Sequence, residues 1–139
     1  MPIPVQFETP RDRAYAAFTF HIILNDISAA ADVITQFTPG FVGSIVKTFF
    51  VVGTPASTAD KLFTLTWEIG DINVDGGTIA LSSVAPSNCT PLGNVVASAA
   101  ITGRNNFDRD DTISLKASSV TQFTQGEGTV VLICAVEVY

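Results

Sequence analysis

Apolar and polar residues alternate with a period of two through most of the chain from Ala14 onward, and Gly, Pro, Asn and Asp interrupt the alternation every few residues. Successive side chains of an extended strand point to opposite faces, so this pattern predicts strands with one buried side. No stretch keeps the period of about 3.6 residues that an amphipathic helix requires.

A first strand is expected over 14–25, with Phe18, Phe20, Ile22 and Leu24 on one face and Tyr15, Thr19, His21 and Ile23 on the other. After the small-residue link Ser28-Ala29-Ala30-Ala31 comes a second strand over 33–38, closed by Pro39-Gly40. The third, 42–52, is apolar on both faces, with Val46, Phe50 and Val52 against Ile45, Phe49 and Val51. That two-sided pattern predicts a central strand lying between two covered surfaces. Residues 63–69 read as half-buried, with Phe63, Leu65, Trp67 and Ile69 opposite Thr64, Thr66 and Glu68. Further strands are expected over 72–74, 78–83, 95–102, 112–120 and 129–139. About eight short strands at spacings of about 8 to 15 residues predict an all-β chain: a single-domain antiparallel β-sandwich, jelly-roll-like, over residues 14–139.

Residues 1–13 form a separate extended N-terminal arm in this reading. Pro2, Pro4 and Pro10 each lack a backbone donor and fix φ, which keeps the segment out of a sheet interior. Ile3, Val5 and Phe7 nevertheless alternate with Pro4 and Gln6, as though one side were meant for burial. Either the arm straps its own sandwich or it lies on a neighbouring subunit and orders on binding.

Composition sharpens the picture. The chain has 139 residues, 47% hydrophobic and only 14% charged, so more apolar side chains are present than one small core usually takes up. Some are expected to meet a partner. The net charge of −6 repels phosphate backbones and argues against nucleic acid. No apolar run reaches the roughly 18 residues of a spanning helix, so no membrane partner is expected, and the start lacks the basic and apolar blocks of a secretory signal. Synthesis in a host cytoplasm follows as the expectation, with Cys89 and Cys134 remaining thiols.

Candidate chemistry is sparse. Asp71-x-Asn73-x-Asp75-Gly76 matches the start of an EF-hand loop, but the twelfth position is Ser82 instead of a bidentate Glu, and a hairpin with an Asp-Gly turn is the better reading. Asp108, Asp110 and Asp111 sit with Arg104 and Arg109, which would neutralise a cation site, so a solvated loop is expected. His21 is the single histidine, and no Gly-x-Ser-x-Gly elbow or phosphate loop accompanies it. No catalytic residue, cofactor or metal is therefore assigned. Asn88-Cys89-Thr90 matches a glycosylation acceptor only formally. Of the aromatics, Trp67 is expected in the core; Phe107 either plugs the end of the sandwich or reaches a partner, and Tyr15 is an exposed candidate. The partner-binding candidates are thus Ile3, Val5, Phe7, Tyr15 and Phe107.

Several runs carry a resemblance: Thr38-Pro39-Gly40-Phe41-Val42-Gly43, the strand 65–70, Thr90-Pro91-Leu92-Gly93, Ile101-Thr102-Gly103 with Asn106-Phe107, and Asp111-Thr112-Ile113-Ser114 before Ala117-Ser118-Ser119-Val120. Over residues 20–139 the chain resembles capsid decoration, or cement, proteins of tailed bacteriophages. The resemblance implies a β-sandwich on the outside of the virion, bound to the major capsid protein at local symmetry axes and often self-associated as a homotrimer. Its motifs are turn and strand residues and include no catalytic signature. A carbohydrate- or receptor-binding sandwich of a tail fibre is the alternative, and a head-completion or tail subunit a third.

Overall fold

The computed structural model describes residues 14–137. Residues 1–13, and with them Ile3, Val5 and Phe7, lie outside the described residues.

Ten strands and a single 3-10 turn make up the described chain: β1 (Ala14–Ile23), the turn Leu24–Asp26, β2 (Ala31–Phe37), β3 (Gly43–Thr54), β4 (Leu62–Ile69), β5 (Ile72–Asn73), β6 (Ile79–Ser82), β7 (Val95–Ala97), β8 (Asn106–Phe107), β9 (Ile113–Thr121) and β10 (Glu127–Val136). They form two antiparallel sheets. The first, sheet A, runs β1-β10-β3-β7 with β8 also on β3; the second, sheet B, runs β2-β9-β4-β5 with β6 also on β4. β1 to β4 alternate between the sheets, β9 and β10 do so again, and the first strand pairs with the last, which is the strand order of a jelly roll.

The inward rows follow the alternation in the sequence. Phe50, Val52, Val130, Leu132 and Cys134 from sheet A meet Phe63, Leu65, Trp67, Ile113 and Leu115 from sheet B, all buried. Phe123, in the link before β10, closes one end edge-on against Phe63, with ring centroids 5.2 Å apart. Trp67 spans the layers chemically as well. Its indole N–H donates to Thr48 Oγ1 at 2.9 Å, and the Thr48 hydroxyl donates onward to the Val131 carbonyl at 2.8 Å.

Two expectations change in detail. The alternation of β3 breaks at Val46, where the ladder to β10 steps from Lys47↔Ile133 to Ile45↔Cys134 and leaves Val46 as the extra residue of a bulge. Ile45, Thr48, Phe50 and Val52 all point inward as a result, and Val46 and Lys47 are both exposed. The strand expected over 95–102 ends at Ala97, beyond which Ala99 donates to Thr78 and Thr102 to Asp75. That segment therefore bridges toward the other sheet instead of extending its own.

Candidate functional site

The candidate residues scatter. Tyr15 stands 61% exposed near the start of β1. Phe107 is 2% exposed, with its ring edge-on to Phe41 at 5.5 Å, so the partner-contact reading for this residue is corrected to a plug. Its strand pairs with β3 at Gly43, where an added Cβ would collide with the Ala135 carbonyl oxygen and would also crowd the Phe107 ring. Trp67 is buried with its one donor satisfied and is no platform for a ligand.

The titratable groups hold one another. His21 Nε2 lies 3.4 Å from Glu127 Oε2 on the adjacent strand, both side chains exposed. Asp71 accepts from Gln36 at 2.7 Å, Asp75 lies 3.8 Å from Arg104, and the Asp108 amide donates to Asp111 at 2.7 Å. A hairpin forms at the EF-hand-like run, but it joins β4 to β5 and does not turn at Asp75-Gly76 as expected. Its two-residue turn is Gly70-Asp71, both with positive φ, between Ile69 and Ile72, and Asp75-Gly76 instead begins the crossing toward Gly103. Glu68, facing out from sheet B yet buried, accepts from Ser114 Oγ at 3.2 Å.

Both cysteines are buried thiols. Burial pushes the Cys134 thiol up to about 11, and raises that of Cys89 against a smaller lowering from a hydrogen bond with the Ser82 backbone. Neither is poised as a nucleophile. Asn88 is fully engaged: its side chain accepts from the Ser82 amide at 2.9 Å and donates to the Ala80 carbonyl at 2.8 Å, acting as a substitute strand along β6.

What the structure does concentrate is apolar surface, on one side of the molecule. The outward residues of sheet A fall into cross-strand rows: Ala17, Ile133 and Lys47; then Thr19, Val131, Phe49 and Ala97; then His21, Thr129, Val51 and Val95. Phe49, Val51, Val131 and Ile133 are half-buried by one another, and Val95 is 56% exposed. Lys47 sets its ammonium over the Phe49 ring, with Nζ 5.6 Å from the centroid, a cation–π contact on this face. Tyr15, Ile23 and Val46 extend the patch, and Leu92, 69% exposed, borders it beyond β7.

The outer face of sheet B is different in kind. Thr64, Thr66, Glu68, Ser114, Lys116 and Ser118 occupy it. The outer face of sheet B is therefore mainly polar, with Glu68 and Ser114 buried in contact with each other and Leu62 exposed at one end, and that of sheet A mainly apolar. Apolar residues on both sides of β3 predict a covered centre, and only the inner side is covered by the second sheet. A two-layer sandwich has only one interior, so the second apolar side of its middle strand must look outward, and among the described residues no element lies over it.

No protein-family model matches the chain. No curated protein matches it either. Among solved structures, the crystal structure of the CBM36-1 domain of a multidomain xylanase from the hindgut metagenome of Trinervitermes trinervoides is similar, with a TM-score of 0.37 and 12% identity over 88% of this chain and 99% of that one. At that level the likeness carries no argument about a ligand.

Proposed function

We propose that this chain is a virion structural protein of a tailed bacteriophage, a capsid decoration protein that binds the outer surface of the major capsid protein shell and stabilises it. The observation that carries the reading is the apolar outer face of sheet A. A jelly roll hosts both shell and lectin domains, so the fold does not choose between them, and the surface chemistry is what favours the shell reading. Sugars are held by exposed aromatic rings and convergent polar groups, whereas Trp67 and Phe107 are buried, Phe49 beside Val131 is half-buried beneath Lys47, and Tyr15 is the one largely exposed ring among the described residues of the patch. A flat apolar sheet suits a broad protein surface, and a rigid sandwich bridging several shell subunits adds interface across seams that internal pressure would open. Function on this account requires affinity and stiffness and no reaction. Self-association of the chain belongs to the same reading.

Incubating the labelled protein with mature shells of the phage that encodes it, and locating it by electron microscopy, tests the reading. Density at regular positions on the outer surface is the expected result. Shells that remain bare, together with glycan-array binding lost in Tyr15→Ala, would overturn it in favour of the tail-fibre alternative.

A further inference from the structure

β1 is the edge of sheet A, paired on one side with β10 through ten consecutive residues from Ala14↔Val136 to Ile23↔Glu127, without a register shift. On its other side lies none of the described strands. A long, regular edge offers unpaired amides and carbonyls to any second strand, and soluble proteins usually blunt such edges with charge, proline, bulges or a covering loop. β1 has none of these devices: Ala14–Ile23 contains no Asp, Glu, Lys, Arg, Pro or Gly.

The remaining edges are guarded. β2 carries Asp32 and two irregularities in its register with β9. β6 is capped by the Asn88 side chain, and β5 and β7 span two and three residues. β1 is thus the one strand among those described that is both long and open.

We propose that two copies of this chain join through β1, edge to edge and antiparallel, so that their A sheets become one continuous sheet. The strand is complementary to itself. In a register centred on Thr19, Tyr15 of one copy lies beside Ile23 of the other, Ala17 beside His21, and Phe18 beside Phe20, so outward residues meet outward ones and inward residues inward ones. Phe18 and Phe20 are only half-buried in one copy, at 5.5 and 5.4 Å from Phe37, and the second copy would cover them. Each chain carries a net charge of −6, yet the paired segments carry no acidic or basic residue other than His21, so no like charges are forced together. The pairing also doubles the apolar outer face into one surface. It is two-fold, unlike the three-fold association that the family resemblance implies.

Sedimentation equilibrium of the full chain over a wide concentration range tests this. The wild type is expected at twice the chain mass. Thr19→Lys, which sets two ammonium groups opposite each other, is expected at the single-chain mass with a native circular-dichroism spectrum and an unfolding midpoint that no longer depends on protein concentration, while Ala97→Lys, in the same row at the far edge, stays paired. Thr19→Cys is expected to give a covalent dimer under mild oxidation, a readout that holds should the lysine variant fail to fold. A single-chain or three-chain mass for the wild type, or a Thr19→Lys protein that remains paired, would overturn the proposal. Shell binding is scored separately: a single-chain protein that still decorates shells removes this pairing and leaves the decoration reading intact.

Discussion

Thr48 and Trp67 show how much one pair of side chains holds together. The indole N–H on sheet B is buried and has Thr48 Oγ1 on sheet A as its acceptor, and the same hydroxyl satisfies the Val131 carbonyl. Replacing Thr48 with Val keeps the shape and strands the indole donor, at a cost of about 1–3 kcal/mol. Urea unfolding should show that loss, and a midpoint equal to the wild type would contradict the role given to this bond. Cys134 offers a second residue-scale check. Its thiol is pushed up to about 11 by burial, so at pH 8 the reactive thiolate is scarce and alkylation of the native protein should be slow, with both cysteines reacting rapidly in denaturant. Rapid labelling of the native state would mean that the core opens readily. The alternation of 63–69 made Trp67 legible as core, but nothing in the sequence marked Thr48 as its acceptor. That pairing exists because two strands of different sheets face each other across the sandwich, a relation that local periodicity does not encode.

At the scale of elements, turn chemistry and alternation placed most strands close to where they lie, and the departures have local causes. The bulge at Val46 shifts the phase of β3, so Ile45 joins Phe50 and Val52 inside although simple alternation sets it opposite them. A single extra residue leaves no distinctive signature in an apolar run. The segment after Ala97 reads as strand by composition but spends its backbone hydrogen bonds on Thr78 and Asp75 of the neighbouring crossing. The Asp-Gly pair at 75–76 is the stronger turn signal in the sequence, yet the hairpin turns at Gly70-Asp71. Asp71 has φ +64°, a left-handed conformation that Asn or Gly accepts and a β-branched residue resists. Asp71→Val should therefore destabilise by about 1–3 kcal/mol while Asp71→Asn stays within about 0.5 kcal/mol of the wild type. Equal losses in the two variants would contradict the backbone role given to Asp71, since Asn keeps an Oδ1 to accept from Gln36.

The whole molecule is a sandwich with unlike outer faces, polar on sheet B and apolar on sheet A, in a chain that is strongly acidic overall. The surplus of apolar residues was legible from composition, but its location was not. Phe49, Val51, Val131 and Ile133 look like core residues in sequence, and only the two-layer arrangement turns them outward. The exposure of Tyr15 was legible because it lies on the face of its strand opposite Phe18, Phe20 and Ile22. Attachment through the sheet A face makes Val131, at the centre of its middle row, the most sensitive position to probe. Counting occupied sites on shells decorated with wild-type or Val131→Lys protein, at matched concentration and with matched unfolding midpoints, is the most direct measurement. Filled sites with the wild type and a drop of at least about tenfold in affinity for the variant, the scale of losing about 1.4 kcal/mol at an interface centre, are the predicted result. Equal occupancy by the two proteins would contradict the account.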